Sequence, residues 1–120
     1  MLDSKQLLEN VTELEDFGSY VHRTVRRALP NITAAAQEEK YVEEVAEYND
    51  SPGIDELADC YIVACNTTNP VRAVFFSQVC HELDKLGKEV PALIMAAKAK
   101  LAIIKSRKWR EVSPGIYHHV

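Results

Sequence analysis

Residues 57–65 read Leu-Ala-Asp-Cys-Tyr-Ile-Val-Ala-Cys, and Asp59 is the only charged residue among them. A helical segment that is apolar on every side belongs in an interior, enclosed by other helices. An ionised carboxylate in such a place requires a partner, because unpaired burial is strongly unfavourable. Glu56 lies three residues earlier on the same helical face, so two acids arrive together. Carboxylates that close repel one another unless one is protonated or a cation lies between them. Asp59 is therefore met either by a bound cation or by a salt bridge to an Arg or Lys elsewhere.

Working outward, the turn Asn49-Asp-Ser-Pro-Gly53 separates this helix, about residues 54–65, from a preceding one over about 33–49. On a helical wheel started at Lys40, Glu44 falls at about 40°, Glu47 at about −20° and Glu43 at about −60°. One lysine and three glutamates share that arc, which leaves Val42, Val45 and Ala46 on the far side to pack. Such spacing is also ordinary for a solvated face with Lys–Glu pairs four apart. The Pro-Gly turn folds the two helices against each other, so Glu44 and Glu47 face Glu56 and Asp59. Hard divalent cations take oxygen ligands, and Mg²⁺ is held by a few carboxylates with substrate phosphates completing its shell.

The remaining punctuation places three more helices. Asp3-Ser4 caps a first helix that ends near Leu29-Pro30, with an apolar stripe of Leu7, Leu8, Val11, Leu14, Phe17, Val21 and Val25. Residues 71–86 form a fourth helix stopped at Gly87, and Pro91 opens a fifth that runs to about Lys108. The expectation is an all-α class: an antiparallel helical bundle of four to five helices over residues 1–110, with an irregular or briefly extended tail over 111–120. A chain of 120 residues holds one modest core, which makes completion by oligomerisation natural.

Charge is unevenly spread. Residues 38–59 hold nine of the eighteen acids against one base, Lys40, whereas residues 98–110 hold six bases and no acid. A net charge of −4 argues against a general nucleic-acid role, and no aromatic stacking platform accompanies the basic strip. No apolar run is long enough to span a bilayer, and the stretch MLDSKQLLEN lacks the pattern of a signal peptide. Three cysteines without a CxxC arrangement fit reduced thiols, so the expected location is cytoplasmic. His22, His81 and the His118-His119 pair read as surface or locally bonded groups. Trp109 reads as a cap on the bundle or a surface on which a base could stack.

The ordered pair Lys40-Tyr-Val-Glu43-Glu44-Val-Ala-Glu47 and Asp55-Glu56-Leu-Ala-Asp59 resembles the signature of the MazG-like all-α nucleoside triphosphate pyrophosphohydrolases. That signature is Glu-Glu-x-x-Glu followed on the next helix by Glu-x-x-Asp. The segment Lys105-Ser-Arg107-Lys-Trp109 is similar to the basic segment of the family, and Gly115-Ile-Tyr-His118 resembles the tail of its small members. The resemblance implies a Mg²⁺-dependent hydrolase of nucleotide metabolism, with Mn²⁺ as a substitute. Its substrate is a nucleoside or deoxynucleoside triphosphate, cut between the α- and β-phosphates to a monophosphate and pyrophosphate.

By position, Glu44, Glu47, Glu56 and Asp59 match the family's metal ligands, with Glu43 and Glu44 assigned to catalysis. Lys40, Lys105 and Arg107 are candidates for the phosphates, although bases in the last turn of a helix also favour its dipole. The family assembles as a homodimer or a dimer of dimers. Ile104 stands where many relatives carry an asparagine, which leaves a second reading: a non-catalytic MazG-like protein that binds a nucleotide or a partner. A di-iron carboxylate bundle is disfavoured, because Glu-x-x-His pairs are missing around these acids.

Overall fold

Five helices follow one another, and their ends sit within two residues of the positions the punctuation indicates. The computed structural model describes residues 3–120, with the side chain of His119 outside the described residues. Helix α1 covers Ser4–Ala28 and is capped by Asp3. The Gln6 N–H donates to the Asp3 carboxylate at 2.8 Å, and the Asp3 N–H donates to the Gln6 side chain at 3.0 Å. Two amides that a helix start leaves open are thus satisfied reciprocally. Helix α2 covers Ala34–Asp50, and its cap Thr33 accepts from the Ala36 N–H at 3.1 Å.

Helices α3 (Ile54–Ala64), α4 (Asn69–Leu86) and α5 (Val90–Ser106) complete the set. Pro70 and Pro91 fall in the first turns of α4 and α5, where a missing N–H breaks no helical hydrogen bond. Gly87 stops α4 in the left-handed region at φ 65°, a conformation that glycine adopts without a Cβ penalty. No helix among the described residues is long and apolar enough to cross a membrane.

Helix α3 packs against each of the other four helices, most extensively against α2 and α5. Leu57, Ala58 and Cys60 through Cys65 are buried, as an all-apolar helix requires. Tyr61 is fully enclosed, with its ring 5.6 Å from Phe75 of α4 and 6.3 Å from Phe17 of α1. Its hydroxyl donates to the Leu14 carbonyl, so the one polar atom of that side chain is paired inside the core. α4 covers the outside of this layer through Phe75, Val79 and Leu83, which gives the 70–86 segment its role.

Two sequence expectations are corrected. On α1, Leu14, Val21 and Val25 are buried, but Leu7 and Leu8 are exposed, because the start of this long helix stands clear of α3. On α2, Val42 is 69% exposed and Ala46 is exposed as well. The packing face is instead Tyr41, Glu44, Val45 and Tyr48, which spans about 40–140° on the Lys40 wheel. The two tyrosines turn the helix, and Glu44 lies on the edge of the buried stripe.

The segment read as irregular or briefly extended is a β-hairpin. Strands β1 (Trp109–Ser113) and β2 (Ile116–His119) pair antiparallel, with Trp109 opposite His119 and Glu111 opposite Tyr117. Pro114 and Gly115 make the turn, with Gly115 at φ 77°, as the second central residue of a Pro-Gly turn requires. A Cβ on Gly115 would lie 3.0 Å from Thr33 Cγ2 and 3.1 Å from the Asn31 carbonyl oxygen. The Asn31 N–H donates to the Tyr117 hydroxyl at 3.0 Å. The hairpin is thereby fixed to the link between α1 and α2, and the exposed His118 takes no part in that contact.

At Gly18, α1 comes close to the end of α3. A Cβ there would sit 3.0 Å from Cys65 Sγ and 3.7 Å from the Tyr61 hydroxyl. Gly18→Val is expected to destabilise the protein by about 2 kcal/mol or more through overpacking, read as a lower urea midpoint. Gly18→Ala is expected near neutrality, because a helix-propensity gain of about 1 kcal/mol offsets a small displacement of Cys65.

Candidate functional site

The α2–α3 hairpin brings three of the four acids named from the sequence within electrostatic reach of one another. Glu44 is half-buried on the edge of the α2 packing face. Burial, then the charge of Asp59, then that of Glu47 push its carboxyl up to about 7, with Lys40 opposing them and a hydrogen bond to Glu47 adding to the rise. Beneath them lies the Cys60 thiol, pushed up to about 12 by burial and by the charges of Glu44 and Asp59. It stays protonated, with Tyr41 and Tyr48 of α2 near it.

Asp59 is less enclosed than its apolar surroundings imply, with its side chain 36% exposed. Its carboxylate is met by Lys100 of α5, Nζ to Oδ1 at 3.0 Å. Of the two solutions open at the sequence level, this conformation displays the salt bridge. Sequence reasoning passed over Lys100, although the wheel of α5 contains the signal. Lys98 and Lys105 share one direction, whereas Lys100 points about 160° away from Lys98, toward α3.

The other assigned residues are dispersed. Glu56 curls back over its own helix start, with Oε2 2.8 Å from where a Gly53 Cβ would stand. Glu43 and Lys40 are exposed on α2, and Arg107 is exposed at the end of α5. Lys105 faces α1. The Thr24 hydroxyl first, and the Lys105 ammonium after it, hold the Tyr20 phenol below its ordinary range. Lys98 stands beside the same group, 5.8 Å from the centre of the Phe17 ring.

Within one chain, then, Lys98 and Lys105 line the α1 side of α5 while the acids gather on the α3 side. Ile104 is half-buried against the core, and its carbonyl accepts from the Trp109 indole N–H at 2.9 Å. Trp109 therefore caps the last turn of α5.

Glu44, Glu47 and Asp59, three carboxylates from two successive helices, form a donor set that fits a hard divalent ion in charge and in atom type. In the conformation seen, no three acidic, thiol or imidazole side chains among the described residues are gathered as a metal centre. Glu56 is turned to Gly53, and Lys100 holds Asp59. A cleft of about 530 Å³ lies elsewhere, between the start of α1, the end of α4 and the start of α5. Its walls include Glu9, Glu13, Asp84 and Glu89 against a single Lys88, an unsuitable lining for a polyanion. The carboxylate cluster is therefore the candidate site on chemical grounds. No protein-family model, no curated protein and no solved structure matches this chain.

The Glu44 shift carries a sign. Its folded value of about 7 lies above its ordinary 4.5, so between those values the folded protein keeps a proton that the unfolded chain has released. Stability therefore falls as pH rises through that window. Glu44→Gln is expected to flatten this slope and to raise the neutral-pH melting temperature, by at most a few degrees given the partial exposure. Thermal melts from pH 4 to pH 8 on both proteins check it.

Proposed function

We propose that this chain is a cytoplasmic, MazG-like nucleoside triphosphate pyrophosphohydrolase that works with Mg²⁺. The observation that carries this reading is the mutual approach of Glu44, Glu47 and Asp59 on the helix pair that bears the family-like signature. Glu44, Glu47, Glu56 and Asp59 would hold the ion. When bound, Mg²⁺ neutralises phosphate oxygens and acidifies water.

The chain's own residues do the rest. Water attacks the α-phosphorus, the bridging bond to the β-phosphate breaks, and pyrophosphate leaves with the electron pair. Glu43, on the same helix as Glu44 and Glu47 and outside the ligand set, orients that water and takes the proton that it gives up. Lys40 sits beside the acids, where an ammonium can meet a phosphate without reaching across the fold.

Lys105 and Arg107 serve the phosphates through assembly. Met95, Ala99, Ala102 and Ile103 form an exposed apolar stripe on α5, with Met95 71% and Ile103 48% exposed. A helix apolar on nearly all sides belongs in an interior, so a homodimer that covers this stripe is the assembly we infer. In it the basic end of one α5 approaches the acids of the other chain. A stable complex with nucleic acid is no part of this reading. A second reading, nucleotide binding without turnover, is favoured by Ile104, whose side chain packs inward where a polar contact would be needed.

Two experiments test the proposal. Pyrophosphate release from a panel of nucleoside and deoxynucleoside triphosphates is expected with Mg²⁺ and to vanish with chelator. Asp59→Asn or Glu47→Gln is expected to lower it roughly a hundredfold or more with the helical spectrum unchanged. Silence across the panel from folded protein would move the assignment to the binding reading. Separately, the double change Met95→Glu and Ile103→Glu is expected to convert a dimer to monomers in sedimentation, and a monomeric wild type would refute the assembly.

A further inference from the structure

We infer that Lys100 is a positioning residue that competes with the divalent cation for Asp59, so that the cluster resists loading by metal alone. This rests on the metal reading given above. Lys100 reaches Asp59 from α5, a different helix from those bearing the acids, and closes the pair at 3.0 Å with both side chains only partly exposed. α3 and α5 are among the most extensively packed helices of the fold, so the ammonium is delivered by a firm scaffold.

A cation entering the cluster must displace that ammonium or accept a positive charge beside it. At such separations like-charge repulsion is substantial even at an effective dielectric constant of about 20. A phosphate-bearing ligand changes the balance, because its negative oxygens give the displaced ammonium a new partner while they complete the shell of the ion. Loading then favours ion and phosphate together over the ion alone. Lys98 and Lys105 cannot substitute, since they stand on the α1 side of α5.

Isothermal calorimetry with Mg²⁺ alone tests this on the full chain, without turnover. Lys100→Met is expected to bind Mg²⁺ about tenfold more tightly than wild type, whereas Lys100→Arg, which keeps the charge, stays near the wild-type value. Lys100→Gln is read in the same way if the methionine variant fails to fold by circular dichroism. Equal or weaker Mg²⁺ affinity in the neutral variants, with measurable binding in wild type, overturns the role of Lys100 and leaves the metal reading standing. Absence of Mg²⁺ binding in wild type and in every neutral variant overturns the metal reading itself, and the inference with it.

Discussion

The need to enclose α3 governs this molecule. Seven of the helix's eleven residues, Leu57, Ala58 and Cys60 through Ala64, are buried, and a helix of that composition offers solvent little beyond its first turn and Asp59. Each of the other helices supplies one wall. Tyr61 then dictates how near α1 must come, since its hydroxyl finds an acceptor in the Leu14 carbonyl, one turn from the glycine that permits the approach. Asp59 escapes only because it lies at the seam between α2 and α5, where carboxylates from one side and an ammonium from the other can reach it.

Much of this was legible in the sequence, and the reasons are local. Helix ends follow from Asp3, Thr33, Pro70, Gly87 and Pro91, each of which acts through its own backbone chemistry. The centrality of α3 follows from a composition without polar relief. The packing face of α2 was not legible in the same way. Valine and alanine at 42 and 46 promise burial, but tyrosines at 41 and 48 bury more surface per residue and set the rotation. That rotation carries Glu44 into the seam.

The hairpin and Lys100 escaped for different reasons. Four- and five-residue strands give little periodicity to read, although Pro114-Gly115 between them is a turn signal. Lys100 belongs to a basic run whose members look equivalent along the chain and are sorted only when α5 is placed between α1 and α3. The acids were legible as a motif. Their mutual coupling was legible only as a possibility, because it depends on a register between helices that no single helix encodes.

The hairpin also bears on how the chain reaches this structure. Its anchors join Asn31 to Tyr117, 86 positions apart, so the loop that must close is most of the polypeptide. Closing so long a loop costs entropy that local helix formation does not, and no docking surface exists until α1 and α2 are joined in their final geometry. Docking of the hairpin, as distinct from its local pairing, is thus expected late in acquisition of the fold and early in its loss. Release of the indole of Trp109 from the end of α5 supplies an optical signal for that first opening, distinct from the collapse of the helices around Tyr61.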